Sequence, residues 1–471
     1  MKVEQIYTGC LAQGAYYIQS KDEAVIIDPL RETEPYIKKA EEEGAKIKYV
    51  LETHFHADFV SGHLDLAKKT GAEIVFGPNA KTEYDAHIAK DEEILEVGDV
   101  KIKVLHTPGH TMESTTYLLI DEDGNNKAIF TGDTLFIGDV GRPDLAVKTD
   151  LTREDLAGHL YESLHNKILP LEDNLTVYPG HGAGSACGKN MSSETTDTLG
   201  NQKKTNYALQ DMTKEEFIKQ VTDGLVPPPQ YFPKNAVMNK KGYGSFDEVL
   251  EKGNVPLDPD TFEDVVNAEG AIMLDVRSPE AYAEGHVPNS IFIGLDGSFA
   301  VWVGTLIPDL NQKIVLITEN GREEEAVTRL SRVGYDNTLG YLKGGFENWK
   351  ASGKECDTVK SVSAEEFKKA FEDGKVEEVI DVRKESEYKS QHVEGENVRN
   401  IPLDFINDKM EEYSQNKEMY LHCAGGYRSM ITASILKSRG YHDLVNIEGG
   451  FDAIQESGMK TSEYVCPSTM L

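Results

Sequence analysis

Short apolar stretches separated by polar turns open the chain and predict strands. Residues 3–7, 15–18 and 24–27 each have the length and the bounding residues of a strand. Segment 34–43 has apolar residues at helical spacing and predicts an amphipathic helix, and segment 47–51 predicts a buried strand. Strands that give way to a helix and then to another strand indicate an α/β domain.

The C-terminal half contains an internal repeat. An apolar strand ending in Asp-Val-Arg occurs at Asp275 and again at Asp381, and a Gly-Gly-Phe triplet closes each copy at 344–346 and 449–451. Both copies alternate short apolar strands with helices. The repeat therefore predicts two small α/β domains with parallel sheets.

Changes in composition suggest where these domains begin and end. Three prolines at 227–229 and a stretch rich in glycine, lysine and asparagine at 239–244 indicate a linker. We therefore expect three domains, spanning residues 1–245, 246–355 and 356–471.

Composition and charge exclude several classes of function. The chain is 39% hydrophobic and 28% charged, as is usual for a globular protein, and its formal net charge is −32. Such a surface repels phosphate backbones and anionic lipid headgroups, so nucleic acid and membranes are not expected partners. No apolar run is long enough to span a membrane, and the first ten residues lack a secretory pattern. We expect a cytoplasmic protein whose five scattered cysteines are free thiols.

Histidine and aspartate cluster after several apolar stretches of the first half. The clusters are the segments 53–58 (THFHAD), 106–110 (HTPGH), 131–133 (TGD) and 178–181 (YPGH). We expect several strand ends to converge on one cleft there. Imidazole and carboxylate ligands together suit zinc, iron or manganese, so these clusters predict a metal site.

This set of motifs, H-x-H-x-D followed by His, Gly-Asp and Gly-His, resembles the metallo-β-lactamase superfamily. The resemblance covers about the first 240 residues and implies an αββα sandwich. Most relatives hold two zinc ions and have a histidine after H-x-H-x-D. This chain has Phe59 at that position. Because phenylalanine cannot bind a metal, we expect one ion per chain.

The mononuclear branch with this pattern is the persulfide dioxygenases. The resemblance implies one iron(II) held by His54, His110 and Asp133, with zinc as the alternative. It also implies supporting roles around the ligands for three further side chains, which are His56, Asp58 and His181. We expect Asp58 to hold a ligand histidine by its second nitrogen.

Two further segments of the first domain are candidates for substrate or sulfur chemistry. Arg142, in Gly-Arg-Pro-Asp-Leu, matches an arginine that lines the substrate cleft in the relatives, although a surface turn arginine is the alternative. Cys187 lies on a glycine-rich loop six residues after His181, and Lys189 would favour its thiolate. Cys187 is thus a candidate sulfur acceptor, with a buried, inert cysteine as the alternative.

The last repeat carries a reactive-cysteine loop. Cys423 ends an apolar strand, and a glycine-rich loop then opens a helix, which places the thiol among backbone N–H groups. This arrangement resembles the rhodanese family. The resemblance implies that Cys423 carries a persulfide, that Arg428 closes the loop, and that three residues bind the substrate, namely Gly425, Gly426 and Tyr427. The related phosphatases have a longer loop.

The middle repeat lacks this chemistry. The 106-residue offset between Asp275 and Asp381 places Ile317 and Arg322 at the positions of Cys423 and Arg428. No nucleophile is found there, and three glutamates follow. We expect a scaffold or dimerisation domain.

The resemblances together imply a persulfide dioxygenase fused to a thiosulfate sulfurtransferase. Its partners would be a low-molecular-weight thiol persulfide, dioxygen, and sulfite or thiosulfate, and the relatives imply a homo-oligomer. The main alternative is a zinc thiolester hydrolase of the glyoxalase II type with an appended sulfurtransferase. A redox sensor built from inert modules and a phosphatase at Cys423 are weaker alternatives.

Overall fold

The computed structural model describes residues 1–146, 151–225 and 227–466. The chain forms two compact units. The first consists of Met1–Glu248 with Ser331–Gly334, and the second of the remaining residues.

Two six-stranded sheets form the framework of the first unit. The first sheet has the order β1-β2-β3-β4-β5-β6, and the second has the order β12-β11-β10-β9-β8-β7. The strands of the first sheet are β1 Lys2–Thr8, β2 Gln13–Ser20, β3 Glu23–Ile27, β4 Lys46–Glu52, β5 Glu73–Phe76 and β6 His87–Ile88. Those of the second are β7 Ile94–Val97, β8 Val100–His106, β9 Thr115–Ile120, β10 Asn126–Gly132, β11 Thr176–Pro179 and β12 Asp197–Thr198.

Helices cover the outer faces of both sheets. They are α1 Glu34–Glu42, α2 His63–Thr70, α3 Arg153–Ser163, α4 Leu199–Thr205, α5 Lys214–Thr222 and α6 Phe232–Lys241, with a π-helical turn at Leu164–Ile168 and a 3-10 turn at Tyr207–Leu209. One apolar core joins the two sheets, and it includes Val25, Leu51 and Phe130. Two further cores lie under the outer helices. The predicted αββα sandwich is confirmed.

The second unit contains two five-stranded sheets, and every strand pairing in them is parallel. The first, β13-β17-β16-β14-β15, contains β13 Pro256–Leu257, β14 Ile272–Asp275, β15 Ile291–Phe292, β16 Ile314–Ile317 and β17 Thr338–Leu342. The second, β18-β22-β21-β19-β20, contains β18 Lys360–Val362, β19 Glu378–Asp381, β20 Val398–Asn400, β21 Met419–His422 and β22 Leu444–Ile447. The prediction of two α/β domains with parallel sheets is confirmed.

Helices connect the strands of both parallel sheets, as parallel pairing requires. Around the first sheet they are α7 Phe246–Gly253, α8 Pro259–Glu269, α9 Pro279–Glu284, α10 Phe299–Leu306, α11 Glu323–Arg332 and α12 Gly345–Ala351. Around the second they are α13 Ala364–Glu372, α14 Glu385–Ser390, α15 Tyr427–Ser438 and α16 Gly450–Glu456, with 3-10 turns at Leu403–Phe405 and Met410–Glu412. Among the described residues, none of the helices combines the length and the apolar character that crossing a membrane requires.

Helix α6 extends into the first half of the linker predicted at 239–244. Asn239 lies inside this helix and is 1% exposed. Its side-chain amide donates to the carbonyls of His56 and Phe59, each at 2.8 Å, and its oxygen accepts from the N–H of Ser61 at 2.9 Å. Composition alone suggested a linker because asparagine and lysine are common in loops. In the folded chain, Asn239 instead supplies hydrogen bonds to the backbone of the buried loop at 56–61.

We expect Asn239→Leu to destabilise the first unit. The substitution leaves two carbonyls and one N–H of the 56–61 loop buried without partners, which should cost about 2–4 kcal/mol in the free energy of unfolding. Urea unfolding followed by circular dichroism measures the change. Val237→Ala on the same helix is the matched control because Val237 is 47% exposed, and it should change the free energy by less than about 0.5 kcal/mol. Equal urea midpoints for the two variants would contradict this stabilising role of Asn239.

Candidate metal centre and candidate sulfur-transfer site

Three buried side chains from separate loops converge at one end of the sandwich. Nε2 of His54 lies 3.9 Å from Oδ2 of Asp133, and Nε2 of His110 lies 3.4 Å from the same oxygen. Two atoms that each bind one ion at about 2.1 Å are at most about 4.2 Å apart, so both spacings fit a shared ion. The structure thus brings together the three side chains that the sequence predicted as ligands.

Each of these side chains follows the end of a strand. His54 comes two residues after β4, Asp133 follows β10 directly, and His110 lies on the loop after β8. Strand β4 belongs to the first sheet, whereas β8 and β10 belong to the second. The group therefore forms only when the two sheets pack against each other.

A hydrogen bond at Nδ1 sets the tautomer of both His54 and His110. Nδ1 of His110 lies 2.9 Å from the carbonyl oxygen of Arg142, which can only accept a hydrogen bond. Nδ1 of His54 lies 3.0 Å from the Thr53 hydroxyl, which itself donates to Asp28 at 2.8 Å. Both Nδ1 atoms therefore carry the proton, and both Nε2 lone pairs are free. Burial lowers the pKa of both imidazoles, which favours the neutral form that binds metals.

The carboxylate of Asp133 has one free oxygen. Oδ1 accepts a hydrogen bond from Nδ1 of His181 at 2.8 Å, whereas Oδ2 is buried and has no hydrogen-bond partner among the described residues. Burial alone would raise the pKa of Asp133, but the neighbouring imidazoles, His181 first among them, hold it below its usual range. An ionised oxygen facing two imidazole lone pairs fits a divalent cation of the zinc, iron or manganese type.

Asp133 is paired with His181, which is in turn paired with Asp58. Nε2 of His181 lies 2.7 Å from Oδ2 of Asp58, while its Nδ1 contacts Asp133. Burial would lower the pKa of His181, but the two carboxylates outweigh it and raise the pKa. The expectation that Asp58 holds a ligand histidine is wrong. Asp58 contacts His181 instead, because the loop after β11 places that ring between the two carboxylates.

His56 points away from the three converging side chains. Its Nε2 lies 3.1 Å from Oδ1 of Asp28 and 3.6 Å from Oε2 of Glu52, and its ring stacks on Phe59. Burial would lower the pKa of His56, but these carboxylates raise it to about 9. Phe59 stands at the sequence position where the two-zinc relatives have a ligand, and here it packs against the His56 ring.

Arg142 has a different environment from the one predicted. Its Nε and Nη2 donate to the two carboxylate oxygens of Asp144 at 2.6 and 2.8 Å, and the side chain is 4% exposed. The predicted substrate-binding role is not supported by these contacts, because the buried guanidinium is held by Asp144. The backbone carbonyl of Arg142, by contrast, contacts Nδ1 of His110 and orients that ring.

Cys187 lies beside the supporting ion pairs, but Lys189 does not contact it. Cys187 is 1% exposed, and its sulfur is within 4.8 Å of ligand atoms of Asp58 and His181. Nζ of Lys189 donates to the carbonyls of Gln220 and Asp223 at 2.7 and 3.0 Å. Burial raises the pKa of the Cys187 thiol. The expectation that Lys189 promotes a thiolate is therefore wrong, since its ammonium is used by helix α5 and the residue that follows it.

Glycines and residues at strand ends complete the centre. A Cβ atom at Gly141 would lie 2.0 Å from the Asp133 carbonyl, and one at Gly180 would lie 2.5 Å from Oδ1 of Asp133. Asp28 was not among the predicted site residues, although it follows strand β3 directly, as Asp133 follows β10. Its position at the end of a predicted strand was the feature of the sequence that could have identified Asp28.

The second candidate site surrounds Cys423, which follows strand β21 and is 1% exposed. Its sulfur accepts a hydrogen bond from the N–H of Gly426 at 3.1 Å, and the Ser429 hydroxyl lies 3.8 Å away. Gly426 has a φ of +100°, and a Cβ at Gly450 would lie 2.5 Å from the Cys423 carbonyl. Both positions therefore require glycine. The loop thus holds the sulfur against one backbone N–H, that of Gly426.

Two neighbours of this loop have partners that the sequence did not indicate. Nη1 and Nη2 of Arg428 donate to the two oxygens of Glu387 at 2.7 and 2.8 Å. The Tyr427 hydroxyl donates to the Gly294 carbonyl in the preceding domain at 2.6 Å. The predicted substrate contact of Tyr427 is therefore not supported, because its hydroxyl anchors the loop to the cysteine-less domain.

The structure shifts the alignment of the middle repeat by one residue. Strand β16 ends at Ile317 as β21 ends at His422, so Thr318 occupies the position of Cys423. Gly321 has a φ of +89° and matches Gly426. The predicted equivalence of Ile317 and Arg322 with Cys423 and Arg428 is wrong because the repeats differ in length by one residue before this loop. Thr318 is 2% exposed, and Glu323 takes the place of Arg428.

Two protein-family models match the chain. The metallo-beta-lactamase superfamily model matches residues 8–181, and the rhodanese-like domain model matches residues 258–352 and 363–457. The matches cover the sandwich and both parallel-sheet domains in turn.

Several known proteins are similar to the chain. It is 30% identical over 210 residues to the mitochondrial persulfide dioxygenase ETHE1 of Homo sapiens, covering 44% of this chain and 74% of that protein. It is 35% identical over 175 residues to a hydroxyacylglutathione hydrolase of Dictyostelium discoideum, covering 36% of this chain and 60% of that one. The chain spans about three fifths of the length of such hydrolases.

A solved structure extends the similarity beyond the first domain. The crystal structure of a metallo-beta-lactamase from Staphylococcus aureus superposes with a TM-score of 0.64 at 33% identity, and it covers 73% of this chain and 98% of that one. The chain therefore belongs to the metallo-β-lactamase superfamily, with two rhodanese-like domains following its metallo-β-lactamase domain.

Proposed function

We propose that the first domain is a mononuclear non-haem iron dioxygenase that oxidises a low-molecular-weight thiol persulfide to sulfite. The observation that carries this proposal is the donor set of His54, His110 and Asp133, with two free imidazole lone pairs and one unpartnered carboxylate oxygen. Two histidines and one carboxylate on one face leave coordination positions open, as in non-haem iron(II) oxygenases. Similarity to the human persulfide dioxygenase supports this assignment over a purely structural metal.

The proposed reaction balances without a further reductant. R–S–S–H, O₂ and H₂O give R–S–H, sulfite and two protons, so the terminal sulfur is oxidised and dioxygen is reduced. Iron, when bound, supplies the chemistry that joins dioxygen to sulfur. The chain holds both imidazoles in the metal-binding tautomer through Thr53 and the Arg142 carbonyl. His181 keeps Asp133 ionised, and burial excludes bulk water from the three side chains.

The same proposal makes the last domain a sulfurtransferase that gives thiosulfate. The Cys423 thiolate attacks the terminal sulfur of R–S–S–H, the S–S bond of the donor breaks, and its electron pair leaves with the R–S⁻ thiolate. Sulfite then attacks the outer sulfur of the Cys423 persulfide, which gives thiosulfate, the free thiolate and one proton. The N–H of Gly426 stabilises the negative sulfur in both steps. Together, the two activities would remove reduced sulfur, as in sulfide detoxification.

A second candidate function is a dinuclear zinc thiolester hydrolase. It is favoured by a second buried group, Asp58, His181 and Cys187, beside the first, and by the similarity to hydroxyacylglutathione hydrolases. However, this group offers only Asp58, Cys187 and Nε2 of His181, because Nδ1 of His181 donates to Asp133. Phe59 also replaces the remaining ligand of the two-zinc relatives. We therefore favour the single iron.

Asp133→Ala should abolish oxygen uptake. The substitution removes one of three ligands, so we expect the bound iron to fall from about one per chain to near zero and persulfide-dependent uptake to fall at least about 100-fold. An oxygen electrode and metal analysis of the same sample measure both quantities. Asp123→Asn, in the exposed turn before β10, is the control and should retain both. Two zinc ions per chain with thiolester cleavage, and no oxygen uptake, would instead establish the hydrolase.

Cys423→Ser should separate the two activities. Serine keeps the loop but is a far weaker nucleophile, so thiosulfate formation from persulfide and sulfite should fall at least about 1,000-fold. Iron-dependent oxygen uptake should stay within about twofold of the wild type. Cys356→Ser is the matched control because Cys356 is an exposed free thiol. If Cys423→Ser formed thiosulfate as fast as this control, Cys423 would have no role in sulfur transfer.

A further inference from the structure

A cleft of about 400 Å³ opens on the Cys423 loop, and two domains of the second unit line it. One side consists of Gly425 and Gly426 of the loop with residues of the last domain. The other side is formed by helix α9 of the cysteine-less domain, through Pro279, Glu280, Ala283 and Glu284. The domain without a nucleophile therefore contributes one wall of the cleft beside the Cys423 loop.

The charges around this cleft are negative. Among the described residues that line it, Glu280, Glu284 and Glu448 are carboxylates, and none is a lysine or an arginine. Arg428 follows the glycines of the loop, but both of its terminal nitrogens donate to Glu387. The cation that would attract an anion to this loop is therefore neutralised by a bidentate partner.

We propose that Glu280 and Glu284 select the sulfur donor of Cys423, favouring a persulfide that carries an ammonium group and disfavouring the thiosulfate dianion. The proposal rests on the sulfur-transfer function of Cys423 and names the substrate class of that site. An ammonium group on the donor lies in an attractive field as its terminal sulfur approaches the thiolate. Thiosulfate, which stays doubly charged at neutral pH, is repelled.

The same field acts on the acceptor and on the product. Sulfite is partly protonated near neutral pH, and its singly charged form is repelled less than its dianion. Thiosulfate carries two charges, so the carboxylates weaken its binding both as a product and as a donor. No oxidant or reductant is needed, because the sulfane sulfur only changes its bonding partner.

The test uses three persulfides of matched length, with ammonium, hydroxyl and carboxylate ends, made from cysteamine, 2-mercaptoethanol and 3-mercaptopropionate. Loading of Cys423 in the full chain is followed in single turnovers without oxygen, by the mass gain of one sulfur atom. Cys423→Ser gives the background from the other thiols. The wild type should load fastest from the ammonium donor and slowest from the carboxylate donor, and 0.5 M KCl should reduce this ratio.

The double variant Glu280→Gln/Glu284→Gln should lower the ammonium-to-carboxylate rate ratio about tenfold and speed loading from thiosulfate. The hydroxyl donor should load within about twofold of wild type, which shows that the loop is intact. The control Glu324→Gln/Glu347→Gln removes two exposed charges of the same domain outside the cleft. An unchanged ratio with normal loading from the hydroxyl donor would overturn the donor selection alone. Failure of every donor to load wild-type Cys423 would overturn the sulfur-transfer function itself.

Discussion

The centre of the first unit depends on one buried carboxylate. Asp133 is withdrawn from water with a hydrogen bond to only one of its oxygens. A buried charge without compensation costs on the order of several kcal/mol, so the surrounding structure must supply opposite charge. His181, itself held by Asp58, supplies part of it, and the divalent ion that these residues fit would supply the rest. Gly141 and Gly180 lie directly against Asp133, and a side chain at either position would displace it.

The two rhodanese-like domains separate the requirements of a fold from those of a reaction. Both keep a parallel sheet, a left-handed glycine in the loop, and a second glycine packed on the first loop carbonyl, at Gly345 and Gly450. These features are backbone requirements, and they persist in the copy that has lost its nucleophile. The chemical difference lies in side chains, with Thr318 where the other copy has Cys423. The cysteine-less copy remains part of the site because it holds Tyr427 and lines the cleft.

Paired charges explain most differences between the predicted and observed roles of individual residues. Arg142 was predicted to line the substrate cleft, Lys189 to favour a thiolate at Cys187, and Arg428 to close the Cys423 loop. In the structure, Arg142 and Arg428 are bound to carboxylates, and the Lys189 ammonium is bound to backbone carbonyls. Asp144 and Glu387 are ordinary acidic residues in the sequence. Only the folded chain shows that they fix the direction of a guanidinium.

The sequence by itself determined the fold class, the repeat, and the residue types of both sites. Strand periodicity and the repeat depend on local and regular patterns, and the His54, His110 and Asp133 motifs each follow a recognisable strand end. The tertiary structure decided how these pieces meet. It determined that Asp58 contacts His181 and that Asn239 donates hydrogen bonds to the 56–61 loop. It also determined that Thr318 rather than Ile317 matches Cys423. Such contacts join residues far apart in the chain. They depend on sheet packing and register, which no local pattern in the sequence records.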